Sequence, residues 1–162
     1  KPSIDHRYGK DHITSHDGVK MPAYNVASVT EMMEQTNPYA EVIGIEETQF
    51  FESSIIEACR EYVRQGKIVI AAGLLKDFRD EAFAFKDRTK TMTDLLLTAD
   101  DVTVLTALCK AANEREEECG RAASRVQRFI DAQVVPYNSP VVQVGGKESY
   151  APRCRQHYQF YK

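Results

Sequence analysis

The sequence predicts an α/β domain with a parallel sheet over residues 1–108, joined to a smaller β-rich domain over residues 109–162. Three observations carry this. The apolar runs Val42–Ile45 and Lys67–Leu74 read as buried strands, and between them Ile55, Ile56, Cys59, Tyr62 and Val63 recur at helical spacing. Strand, helix and strand in that order imply a parallel pair joined by a crossover. Val102–Leu108 adds a third apolar run. Beyond it the character changes, with Cys109 and Cys119 bracketing the highly charged Lys110–Glu118 segment.

A chain of 162 residues suits one domain with a small appendage. The formal net charge of -3 argues against a nucleic-acid partner, because no basic face dominates the sum. No apolar run approaches a membrane span, and the first residues carry no secretory signal pattern. Four widely spread cysteines without such a signal point to metal ligation or free thiols. The expected location is therefore the cytoplasm or another reducing compartment, an organelle included.

In chain order, residues 5–25 are polar and loop-like, with Asp17-Gly18 as a turn signal and His16 as a loop-organising histidine, a ligand or a base. Val26–Gln35 passes from a short apolar element into a helix capped by Ser28 or Thr30, and Asn37-Pro38 ends it. Gly66 should close the helix that starts near Ser53. Thr91–Ala99 reads as a helix through Met92, Leu95, Leu96 and Ala99. Ala122–Ile130 and Val141–Val144 read as strands, with a turn-rich loop at Val134–Pro140 and a turn at Gly145-Gly146.

Three places could carry chemistry. Glu46 and Glu47 follow the Val42–Ile45 strand, where ligands bind in open α/β sheets; adjacent acids there can divide metal binding from proton transfer, or can mark an ordinary turn. Phe50, Phe51, Phe78 and Phe83 lie on loops after neighbouring strands and serve either a pocket for a planar ring or the core. Cys109, Cys119, Cys154 and His157 offer a zinc-type donor set. Cys154-x2-His157 has the usual spacing and Cys109-x9-Cys119 a wider one, so the alternative is free thiols beside an unrelated histidine.

Together these pieces resemble the type II thymidine kinases, a family with a P-loop α/β domain and a small zinc-binding domain. "VIGIEETQFF" is similar to the family's Asp-Glu-x-Gln-Phe-Phe signature. "AAGLLKDFRDEAF" is similar to its Gly-Leu-Asp-x-Asp-Phe-Arg-Gly-Glu-Pro-Phe stretch. "KPSIDHRYG", "TSHDG", "VTVLTALC", "CGRAASRVQR", "VVQVGGKESY" and "CRQHY" follow in the family's order. The resemblance implies ATP-dependent phosphorylation of the thymidine 5′-hydroxyl with magnesium, a step that feeds DNA synthesis. It makes Glu47 the general base, Glu46 the magnesium-linked acid and Arg7 a residue near the phosphates. Phe50, Leu74, Phe78, Phe83 and Tyr150 become nucleoside contacts, with Val142 in the Val141–Tyr150 loop that reads the base. Cys109, Cys119, Cys154 and His157 become structural zinc ligands, and the family's habit implies a homotetramer.

Several positions depart from the family. No G-x-x-x-x-G-K-[ST] occurs in the 162 residues, and such a loop cradles the β- and γ-phosphates. The expectation is thus a P-loop-kinase-like domain lacking its first strand and P-loop, its apolar sheet edge uncovered. On that reading the alternative to an active kinase is a non-catalytic, thymidine-kinase-derived subunit of a larger assembly. Glu46, Leu75, Asp80, Ala82 and Val126 stand where the family has Asp, Asp, Gly, Pro and, in many members, Thr. The loop between the first two cysteines is expanded.

Overall fold

In the computed structural model, which describes residues 1–4, 12–15, 17–112, 115, 117–143 and 148–161, the chain divides into two units. One is Lys1–Leu75 with Phe83–Asp100, the other Lys76–Ala82 with Asp101–Lys162. Both mix short sheets with turns, and only the first carries α-helices among the described residues. No described helix is long and apolar enough to cross a membrane.

The first unit begins with an antiparallel hairpin, β1 (His12–Thr14) and β2 (Lys20–Pro22). Its turn uses Gly18 at φ +83°, and the Ser15 carbonyl accepts from the Gly18 N–H at 3.0 Å. Helix α1 (Val29–Gln35) starts at Ser28, whose hydroxyl accepts from the Glu31 N–H, while the Glu31 carboxylate accepts from Ala27 N–H at 2.6 Å. Strand β3 (Val42–Ile45) pairs in parallel with β4 (Ile68–Ala71), Ile45 facing Ala71. Helix α2 (Ile55–Arg64) connects them and buries Ile55, Ile56, Ala58, Cys59 and Tyr62, leaving Glu57, Arg60, Glu61 and Arg64 in exposed ion pairs. Gly66 at φ +78° ends it in the left-handed conformation. Helix α3 (Met92–Leu96) is opened by a capping box between Thr91 and Asp94. Val26, Val29, Ile43, Ile45, Phe51, Phe83, Phe85, Met92 and Leu95 are buried with those α2 residues.

The parallel pair agrees with the sequence expectation, but β4 is not buried. Ile68 and Ile70 are 61% and 60% exposed, because β3 is the one strand paired with β4 among the described residues. The expected third strand at Val102–Leu108 is also corrected. Residues 102–106 are irregular, and Val104 and Leu105 are exposed. With no sheet partner for this run among the described residues, β-branched composition alone does not make a strand.

In the second unit, Ala107–Leu108 forms β5, antiparallel to β6 (Ala122–Ala123). The run predicted as one strand from Ala122 breaks at Ser124 and resumes as β7 (Arg125–Ile130), which lies between β8 (Gln133–Val134) and β9 (Tyr150–Arg153). Of the strand expected over Val141–Val144, residues 141–143 are loop, the Pro140 carbonyl before them and the Gln143 carbonyl being held by side chains instead of a ladder, and Val144 lies outside the described residues. The β7–β8 turn is tight: Asp131 and Ala132 both take positive φ, 49° and 61°. That is the geometry of a type I′ hairpin, which favours glycine at the second position.

The Lys76–Ala82 loop closes on itself through the Asp77 N–H to the Glu81 carbonyl at 2.9 Å. Asp80, where the resembling family has glycine, has φ +66°. Its carboxylate is gripped by Lys76 at 2.7 Å and by Arg125 Nε at 2.8 Å, and these contacts offset the backbone strain. Two stability outcomes follow. Ala132→Gly removes left-handed strain and should stabilise the chain by about 1 kcal/mol, read as a higher urea midpoint. Asp80→Ala keeps the strain and abolishes both ion pairs, so it should cost about 1–3 kcal/mol, and Asp80→Gly about 1 kcal/mol less than that; equal midpoints for the two variants would show the strain to be absent.

Candidate functional site

The two carboxylates singled out in the sequence stand at the exit of β3. Glu46 and Glu47 are both half-buried, and Glu47 takes φ +53°, which turns the chain sharply into a short 3₁₀ helix at Thr48–Phe50. The turn is bolted to the exit of β4. Ala72 N–H donates to the Ile45 carbonyl at 2.8 Å, and the Ala72 carbonyl accepts from Thr48 N–H at 2.9 Å and Thr48 hydroxyl at 2.8 Å. Gln49, fully buried, donates from Nε2 to Glu47 Oε2 at 2.5 Å and accepts at Oε1 from Leu74 N–H at 3.0 Å. A carboxylate at a strand end, half-exposed and oriented by an amide, is equipped to take a proton.

Phe50 and Phe83 meet edge to face with centroids 5.8 Å apart, and Leu74 is 51% exposed. Phe51 and Phe83 are both buried, whereas Phe50 is half-buried. Cys59 is core as well: burial pushes its thiol up to about 11, which removes it as a nucleophile near neutral pH.

Phe78 and Tyr150 gather round a buried arginine in the second unit. The Arg128 guanidinium lies 5.4 Å from the Phe78 ring centroid and 5.9 Å from that of Tyr150, and it donates to the Pro140 carbonyl. Its Nε has no hydrogen-bond partner among the described residues. The Tyr150 hydroxyl donates to the Gln143 carbonyl at 3.0 Å. Pro140 and Gln143 flank Val142, 43% exposed, so both ends of that stretch are pinned by side chains from β7 and β9. Asp77 is buried against Arg79 at 2.6 Å; burial works against the Arg79 cation, but this carboxylate outweighs it and holds the pKa above the ordinary arginine value. Arg7 and His16 lie outside the described residues.

Cys109, Cys119, Cys154 and His157 converge, with their ligand atoms all within 4.8 Å of one another. The wide spacing of the first pair is explained by a hairpin. Cys109 N–H donates to the Arg121 carbonyl at 2.8 Å, Gly120 N–H returns to the Cys109 carbonyl, and Cys119 N–H reaches Ala111. The two arms hold Cys109 beside Cys119 whatever the loop length between them, since loop closure costs little more as loops lengthen. A turn closed by His157 N–H on the Cys154 carbonyl at 3.1 Å supplies the second pair.

His157 Nδ1 stands 3.6 Å from both the Cys109 and the Cys154 sulfur. Bonds of about 2.3 Å to sulfur and 2.0 Å to nitrogen in a tetrahedron place those atoms about 3.5 Å apart. The donor set therefore fits a tetrahedral, thiophilic ion. Cys109, Ala123 and Cys154 are also this corner's core, with Ala111 and Cys119 packed against them.

Sequence reasoning singled out the two acids and the Cys/His set as candidates but gave no structural role to Gly73 or Arg128. Gly73 carried a signal, a glycine at the end of the apolar run that begins with Ile68-Val69-Ile70; Arg128 carried none, because its burial depends on β7 lying centrally in its sheet.

The model of the thymidine kinase family matches residues 1–158 of this chain. The chain is also similar to a curated thymidine kinase of Thermococcus kodakarensis, 42% identical over 163 aligned positions that span 98% of this chain and 76% of that protein.

Elemental analysis of the purified chain should find one tightly bound metal ion. Cys154→Ala should lose it and melt at lower temperature, whereas Cys59→Ala should keep it. Full metal occupancy in Cys154→Ala would exclude the cluster as the site.

Proposed function

The chain belongs to the thymidine kinase family, and on that footing we propose that it transfers the γ-phosphoryl group of ATP to the 5′-hydroxyl of thymidine, with Glu47 as general base. The observation that carries this reading is the Glu47 carboxylate, set at the carboxyl end of β3 and oriented by Gln49. The thymidine 5′-oxygen attacks the γ-phosphorus, the bond from that phosphorus to the β–γ bridging oxygen breaks, and ADP leaves. The hydroxyl proton passes to a Glu47 oxygen. Glu46 supplies a hard oxygen donor at the same strand exit and would hold magnesium, which when bound neutralises phosphate charge.

Within the first unit, Phe50, Leu74 and Phe83 are the proposed nucleoside contacts. Within the second, Phe78, Val142 and Tyr150 take that role by family match, and the Arg128 and Tyr150 bonds to the loop carbonyls keep its backbone in place for reading a base. Arg7 is assigned to the phosphates on sequence alone. Zinc suits the Cys109, Cys119, Cys154 and His157 cluster, because three thiolates and an imidazole at tetrahedral separations match its preferences. As a closed four-ligand site it would be structural, adding binding energy to a corner whose core is otherwise three small side chains.

The full gene product, assayed with thymidine and ATP, should form thymidine monophosphate and ADP. Glu47→Gln should lower kcat by about 10²–10⁴-fold while thymidine binding by calorimetry stays close to wild type. Thymidine binding without turnover would instead favour the non-catalytic binding subunit.

A further inference from the structure

We infer that Gln49 is the positioning residue for the Glu47 carboxylate, and that Gly73 is the space that lets it act. The inference rests on the general-base reading of Glu47 and deepens it. The orientation of the Gln49 amide is dictated by its surroundings. The Leu74 N–H can meet only an acceptor, so Oε1 faces it and Nε2 must face Glu47. One end of the amide is thus anchored to backbone that leaves β4, and the other grips the acid that leaves β3.

Glu47 needs such a grip. It is half-exposed on a left-handed turn, and its freely rotating side chain would spread the carboxylate over several rotamers. A charge-assisted bond from a buried amide selects one of them. Gln49 has no such freedom, being 1% exposed with both amide ends engaged.

Gly73 completes the device. A Cβ there would meet Gln49 Oε1 at 2.5 Å, the Met92 methyl at 3.1 Å and the Thr48 nitrogen at 3.2 Å. The glycine is demanded by space, not by a positive φ. The first thing an alanine displaces is the anchored end of the amide.

The test uses the full gene product. Gln49→Met, which keeps volume and removes both bonds, should lower kcat about 10- to 100-fold, with KM for thymidine and ATP within about twofold of wild type. Gly73→Ala should reproduce that split. Glu47→Gln combined with Gln49→Met should be no slower than Glu47→Gln alone, because no carboxylate is left to position. Isosteric Gln49→Glu, which turns the donor into a repelling acceptor, gives the same reading if the methionine variant does not fold. Wild-type kcat in Gln49→Met, or losses that multiply in the double variant, would overturn the positioning role while a slow Glu47→Gln left the base assignment standing. A Glu47→Gln enzyme at wild-type kcat would instead remove the base assignment and the inference together.

Discussion

The parallel register of β3 with β4 is the constraint on which the geometry around Glu46 and Glu47 depends. Ile45 faces Ala71, so the residues that leave the two strands run on side by side. Thr48 then reaches Ala72, and Gln49 reaches Leu74. A slip of one residue would turn the side chains to the opposite faces and part each of these pairs. The acids do not sit on a free loop. They sit on a turn tied to the neighbouring strand's exit through Thr48 and Gln49.

The second unit obeys a different logic. It has few large apolar side chains at its cysteine corner, where Cys109, Ala123 and Cys154 are the buried residues. Small corners of this kind gain little from burial alone, and thiols that face one another and an imidazole at tetrahedral separations have a better use as ligands. Elsewhere in the unit, order comes from polar ties to backbone. Arg128 holds the Pro140 carbonyl, Tyr150 holds Gln143, Gln127 accepts from Gln159 N–H at 2.8 Å, and Tyr158 donates to the Phe78 carbonyl at 2.7 Å. Loops held this way need no ladder, which is why a run of valines near residue 142 is not a strand.

Departures from the family pattern become physical once backbone angles are known. Asp80 occupies a left-handed position that glycine would fill without strain, and two cations compensate it. Ala132 occupies another, and no hydrogen bond from its methyl side chain can offset the strain.

Local pattern determined much of this protein. The β3 and β4 runs, the spacing and caps of α1 and α2, the Asp17-Gly18 turn and the family resemblance were all legible, because each is set by neighbours along the chain. The convergence of the three cysteines with His157 was foreshadowed by residue type, and the position of Glu46 and Glu47 at the exit of β3 by the strand pattern. Tertiary structure decided what depends on partners distant in sequence. It left β4 exposed, gave Val102–Thr106 no strand to pair with among the described residues, and folded a ten-residue separation of cysteines into a hairpin that brings them together. It also gave Gln49, Gly73 and Arg128 their roles, since an amide, a missing Cβ and a buried cation acquire meaning only from what the fold sets against them.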